Sequence, residues 1–282
     1  MNDEIYIKET IDKYGNIQLK WDMAIGLQKV DNLSPSNHLL ELSEQNIKGQ
    51  KTLAEVKNEL LEYYQNKDIN KKDTREKYEC DLVSVRIIEL LDEDSFELSV
   101  EYMKYIHKFL FQDIYEFAGQ FRDVDIIKKE NILCGDTVIY VRNNNIERSF
   151  KYDISLEKEK SYDGKNMFNV INNIVDFTSR IWQVHPFREG NTRTITVFIE
   201  KYLTSLGYKS DNNIFKENSA YFRNALVRNN YYNDNLSIPS DKTYLVKFFE
   251  NLLLDKNNKL NITDLIINEL FDYEIKSPKK IR

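Results

Sequence analysis

Apolar residues recur at three- and four-residue spacing along most of this 282-residue sequence, and only 8 Gly and 4 Pro interrupt them. Such periodicity buries one stripe of each segment and reads as amphipathic α-helix. The expected fold is all-α, and each surviving Gly or Pro marks a boundary. Trp21, Ala24, Leu27 and Val30 share the face of a first helix ending near Asn32. Ser34-Pro35-Ser36 signals a second start, and Thr52 with Glu55 has capping-box spacing for a third. Further stripes follow from Cys80 to Leu91, Tyr102 to Leu110, Phe168 to Trp182 and Ile195 to Leu206, then near 219–228, 241–254 and 263–273.

One stretch breaks the rhythm. Residues 124–141 carry the β-branched clusters Ile126-Ile127 and Val138-Ile139-Tyr140-Val141 around Gly135, the pattern of a short β-hairpin. The charged run 67–78 has few apolar residues and is expected to be a linker. The chain thus divides into an N-terminal helical module (1–66), the linker, a main domain (79–255) and a C-terminal helix with a basic tail (256–282).

Composition narrows the classes. With 40 basic against 46 acidic residues the net charge is −6, which argues against a DNA-backbone binder. No run approaches the roughly 18 apolar residues of a membrane span. Cys80 and Cys134 have no zinc or disulfide spacing, and the opening Met1-Asn2-Asp3-Glu4 is not a signal peptide, so a reducing cytoplasmic location is expected. His38, His107 and His185 show no metal-ligand spacing either.

Chemistry concentrates in His185-Pro186-Phe187-Arg188-Glu189-Gly190-Asn191-Thr192-Arg193. Pro186 ends one helix and the next begins near Asn191, so unpaired N–H groups gather where an anion is favoured. Gly190, lacking a Cβ, admits a phosphate close to the backbone. Arg193 opposes the macrodipole of its own first turn, a local conflict that a bound phosphate would reverse. Glu189 supplies a hard oxygen ligand for Mg²⁺, and His185 a base near neutral pH. Separately, each residue has an ordinary role in a turn, a cap or a surface pair. Six specified residue types at fixed offsets arise by chance on the order of 10⁻⁵ or less.

This loop resembles the signature motif of the Fic (filamentation induced by cAMP) family. His107-Lys108-Phe109-Leu110-Phe111, Ile114-Tyr115-Glu116-Phe117-Ala118-Gly119 and Arg122 are similar to the family's segment before its flap hairpin. The resemblance implies a helical Fic bundle with a β-hairpin flap, and a protein adenylyltransferase moving AMP from ATP to a Tyr, Thr or Ser hydroxyl. His185 would be the base and Glu189 the Mg²⁺ ligand. Gly190, Asn191, Thr192 and Arg193 would cradle phosphates, with Phe187 anchoring the loop. Asn229 and Tyr232 would line the adenine. A protein target would dock on the flap near 124–141; self-modification and a homodimer are further expectations.

Two departures stand out. Thr192 replaces a frequent Gly, and Thr196 replaces a second Arg that in the family contacts the γ-phosphate and pairs with an inhibitory Glu. The N-terminal module resembles the family's antitoxin-like inhibitory segment, whose motif would fall on Leu27, Asp31 and Asn32, making Asp31 and Asn32 regulatory candidates. The alternatives are a Fic-fold transferase using UMP, phosphocholine or phosphate as donor, and a non-catalytic ATP-binding module.

Overall fold

The computed structural model describes residues 13–271. Among them the helices are α1 (Lys13–Gln28), α2 (Asn37–Ile47), α3 (Leu53–Gln65), α4 (Lys72–Asp92), α5 (Val100–Phe111), α6 (Ile146–Lys158), α7 (Met167–Val184), α8 (Asn191–Ser205), α9 (Ile214–Asn230) and α10 (Thr243–Leu254). None is long and apolar enough to cross a membrane.

The three N-terminal helices form where their local signals put them. A single 3-10 turn, Lys29–Asp31, ends α1, and Asn32 closes it at φ 60° in the left-handed region. Ser36 caps α2 by accepting from Leu39 N–H at 3.0 Å, and Thr52 and Glu55 form the capping box of α3. These helices share a continuous core with the rest of the chain, because α1 packs on both α4 and α9. A Cβ on Gly26 would lie 2.3 Å from the Phe215 carbonyl oxygen, so only glycine allows α1 this approach to α9. Asp81, buried in α4, accepts from Ser36 N–H at 2.9 Å and from the Tyr64 hydroxyl at 2.7 Å, tying α2 and α3 to the main body.

Three expectations change. The charged run is helical from Lys72 onward, because Lys72–Glu76 and Asp73–Lys77 pair one turn apart (3.6 and 3.4 Å) on a solvated face of α4. Residues 124–141 contain no strand. Glu130 N–H donates to Asp136 O, and Gly135 N–H to Glu130 O (both 2.9 Å), around a 3-10 turn at Asn131–Leu133. Their apolar residues Ile132, Leu133, Val138 and Tyr140 go into the core rather than onto a ladder. The return arm instead bonds the end of α7, with Gln183 Nε2 donating to Ile139 O at 3.1 Å. Finally, the last expected helix gives only a 3-10 turn, Ile262–Leu265, and one helical turn at 268–271; its end and the basic tail lie outside the described residues.

Helix α8 is the axle of the fold. Every residue from Asn191 to Leu203 is buried. Its threonines satisfy their own hydroxyls, Thr194 to Gly190 O (2.9 Å) and Thr196 to Thr192 O (2.7 Å). Buried Lys201 donates to Leu90 O (2.6 Å) and Glu93 O (2.7 Å), capping the carbonyl end of α4.

Candidate active site

Pro186 stops α7, and His185 takes the left-handed C-cap at φ 46°. The loop to α8 is then held from outside. The buried Arg122 donates through its backbone N–H to Pro186 O and through Nε to His185 O, both at 2.8 Å, and reaches Val184 O at 3.3 Å. The same guanidinium bonds Val124 O (2.7 Å) and Val141 O, so loop and flap share one clamp. Phe187 is buried and stacks on His107 with ring centroids 3.7 Å apart. Gly119 N–H donates to His107 Nδ1 (2.8 Å), which leaves Nε2 to donate to Glu189 O (3.1 Å). Burial lowers the His107 pKa to about 4, so the ring stays neutral as this bridge requires.

Asn191 staples the loop to itself: its Oδ1 accepts from Phe187 N–H (2.9 Å) and its Nδ2 donates to Phe187 O (2.8 Å). Gly190 has φ 73°, and a Cβ there would meet the Phe111 ring at 2.4 Å. Its glycine is therefore demanded by packing on α5 as well as by backbone conformation. No side chain caps α8, so the N–H groups of Asn191, Thr192 and Arg193 have no intrahelical partner.

Asn191 and Thr192 line a cavity of about 430 Å³. Its walls are the signature loop, the 3-10 turn after α1, the flap at 128–131, and Ala220, Arg223 and Asn224 of α9. His185 lines it, with its ring 4.5 Å from that of Tyr140 and 5.5 Å from that of Trp182. Neither ring nitrogen has a partner. Burial, then the positive charges of Lys128, Arg122 and Arg223, hold the His185 pKa well below its ordinary value. The ring is thus a neutral proton acceptor at physiological pH. Glu189 stands half-exposed at the same cavity, 3.6 Å from Lys128 Nζ. Among the described residues no three His, Cys, Asp or Glu side chains converge into a metal cage. Asp31 and Glu130 also line the cavity, and Glu189, the exposed carboxylate of the loop, is the one that could act as a hard oxygen ligand there.

Of the expected site residues, His185, Glu189, Gly190, Asn191, Thr192, Asp31 and Asn32 all line this cavity. Three do not. Arg193 is 1% exposed and turns away, with Nε 2.7 Å from Asp31 Oδ2, Nη2 2.7 Å from Glu79 Oε1 and Nη1 3.0 Å from Gln28 Oε1. Its guanidinium lies 4.7 Å above the Phe111 ring. Burial lowers its pKa, but Asp31, Tyr115 and Glu79 outweigh that and hold it above the ordinary value. Two carboxylates, rather than a phosphate, therefore answer the macrodipole conflict seen in the sequence. Asn229 and Tyr232 lie beyond the cavity because α9 presents the face of Ala220, Arg223 and Asn224. Asn229, five residues past Asn224, is roughly 7 Å further along and well round the helix.

The family model of the Fic/DOC family matches residues 97–203, which span α5, the flap, the signature loop and most of α8. Over that stretch the chain is similar to the Fic/DOC family. Its Fic/DOC region is similar to the protein adenylyltransferase VbhT of Bartonella schoenbuchensis, at 28% identity over 167 residues, covering 59% of this chain and 33% of that protein. It is also similar to the probable protein adenylyltransferase y4lH of Sinorhizobium fredii, at 31% identity over 47% of this chain and 65% of that one. The chain thus spans between a third and two thirds of the relatives it matches. Among solved structures, the N-terminal Fic domain of a Bartonella effector protein from Bartonella sp. AR 15-3 aligns with TM-score 0.50 at 22% identity, over 68% of this chain and 84% of that one. BepC of Bartonella tribocorum, solved with bound AMPPNP, aligns with TM-score 0.50 at 20% identity, over 67% of this chain and 89% of that one. At those identities the likeness establishes the all-α Fic fold.

Sequence reasoning quoted His107 and Arg122 only as matches to the Fic segment, without the bridge and the clamp they form, and passed over the cavity residues Lys128 and Arg223. The spacing of Ala220, Arg223 and Asn224 at i, i+3 and i+4, opposite the apolar face of α9, was the available signal for the last.

Proposed function

We propose that this chain is a protein adenylyltransferase that transfers AMP from ATP to a hydroxyl of a protein. The observation that carries the reading is His185: a buried, neutral imidazole with both nitrogens unpartnered, at the cavity into which the N-terminus of α8 opens. A ring in that state accepts the proton of a target hydroxyl. The hydroxyl oxygen forms a bond to the α-phosphorus while the bond to the bridging oxygen of the β-phosphate breaks, and pyrophosphate leaves with that electron pair. The uncapped N–H groups of Asn191 and Thr192 donate to phosphate oxygens, where developing negative charge is stabilised without reorganisation. Arg122 and His107 keep those donors and His185 in register.

Glu189 would hold Mg²⁺, which when bound neutralises charge along the phosphate chain. The target protein docks beside the flap, where Val124, Ile127 and Ile139 are exposed. The cytoplasm is the compartment that supplies ATP and such targets. Incubation with Mg²⁺-ATP, alone and with a cell lysate, followed by intact-mass spectrometry, tests the reading. Mass addition of one AMP on the chain or a lysate protein supports it, and no addition with any target overturns it.

Residues 1–66 act, in this reading, as an inhibitory module on the Fic domain of 79–255. Asp31 and Asn32 form part of the cavity wall, and Asp31 engages Arg193 of the signature loop. The module belongs to the same core, so substitution at Asp31 tests this role better than truncation does.

A further inference from the structure

If ATP occupies this cavity, the outer phosphates need a cation, and the signature loop does not provide one. Arg193 is withdrawn and shared between Asp31 and Glu79, and Thr196 is an uncharged residue inside the core. Glu79 belongs to α4, so Arg193 stays engaged even when the Asp31 contact is lost. Lys128 is committed to Glu189, Lys29 Nζ donates to the Lys216 carbonyl at 2.5 Å, and Lys129, the remaining lysine of the wall, is solvent-exposed on the flap.

On the α9 wall stands one guanidinium with a fixed plane. Arg223 is bound end-on by Glu130 of the flap, with Nη2 donating to Oε1 at 2.9 Å and Nη1 to Oε2. Glu130 is 1% exposed and accepts from the Tyr140 hydroxyl at 3.4 Å, so this orienting carboxylate is itself anchored. End-on pairing uses one N–H of each terminal nitrogen; the second on Nη1 reaches Asn224 Oδ1 only at 3.5 Å, and the second on Nη2 is left as a donor. Tyr140 also packs on His185, so phosphate end and base are set on one rigid unit. Across the cavity, Asp31 is close enough for its charge to act on Arg223 as well as on Arg193.

We propose that Arg223, oriented by Glu130, binds the outer phosphates of the nucleotide and stands in for the arginine that Thr196 replaces. The inference rests on the adenylyltransferase reading. It assigns the specificity for a triphosphate over a monophosphate to α9 and the flap rather than to the signature loop. It also makes Asp31 a competitor for the same charge, since an anion near Arg223 opposes a second one there.

Titration calorimetry with ATP and with AMP, in a His185→Ala background that prevents turnover, tests this. Arg223→Met is expected to weaken ATP binding by about tenfold or more, the loss of a charged hydrogen bond, and to leave AMP binding within about twofold. Arg223→Lys should recover part of the ATP affinity. Because Arg223→Met alone strands the buried Glu130 carboxylate, Arg223→Met/Glu130→Gln should show the same ATP-selective loss in a more stable protein. Unchanged ATP affinity in the double variant, or equal losses for ATP and AMP, overturns the proposal. If the His185→Ala protein binds neither nucleotide, the adenylyltransferase reading itself has failed; if it binds ATP and Arg223 has no effect, only the phosphate assignment has.

Discussion

Asp31 Oδ2 lies 2.7 Å from Arg193 Nε, joining the turn after α1 to the first turn of α8. The contact couples the N-terminal helices to the loop that carries the chemistry. Arg193 is nearly solvent-free, while Asp31 is a third exposed at the cavity wall, so the carboxylate can be removed without unfolding its surroundings.

Asp31→Ala should raise the rate of AMP transfer several-fold, because it removes an anion from the nucleotide cavity. Arg193 retains Glu79 and Gln28, so the loss of stability should stay near 1 kcal/mol. Initial rates with a fixed target, together with urea unfolding, check both parts. An unchanged or lower rate removes the inhibitory role.

Arg193→Ala should behave differently. It leaves Glu79, 13% exposed at its side chain, without its cation, so about 3–5 kcal/mol of stability should be lost. Urea midpoints distinguish this from a phosphate ligand, whose removal costs affinity and little stability.

His185→Ala should lower transfer by about 10²–10⁴-fold with ATP affinity retained. The ring is buried with both nitrogens unsatisfied, so its melting temperature should hold or rise. A variant that loses ATP binding in step with transfer would place the imidazole in binding rather than in proton transfer.

pH dependence follows from two histidines kept neutral. His107 binds its proton at about 4 in the folded chain against 6.5 unfolded, and His185 is shifted in the same direction. Below 6.5 the unfolded chain therefore binds more protons, and stability falls as pH drops from 6.5 toward 4. Each ring contributes up to about 1.4 kcal/mol per pH unit in that window. Above 6.5 their contribution is constant. Urea midpoints of wild type and His107→Gln between pH 5 and 8 should diverge only on the acid side, and transfer should stay flat through pH 6.5.

Gly190→Ala should cost about 2–4 kcal/mol, combining a positive φ with a clash against Phe111. Thermal unfolding checks it. A neutral result would mean that the loop can leave the Phe111 ring.

Apart from α6, which no expected stripe covers, the main helices of the described chain and the loop between α7 and α8 were legible in the residues because their causes are local. Periodic apolar spacing, Ser36 and Thr52 as caps, Pro186 as a stop and Gly190 at a left-handed turn all act within a few residues of themselves. Where those causes weaken, so does legibility: the flap's β-branched residues fit strand or core equally well, and Lys72 to Tyr78 look like a linker because their face is solvated. The inward turn of Arg193, the Arg122 clamp, the His107 bridge and the Glu130–Arg223 pair depend on partners from distant segments. A charge in the sequence carries no mark of which opposite charge the fold will set beside it, and in a buried setting that neighbour determines whether it serves a phosphate or the core.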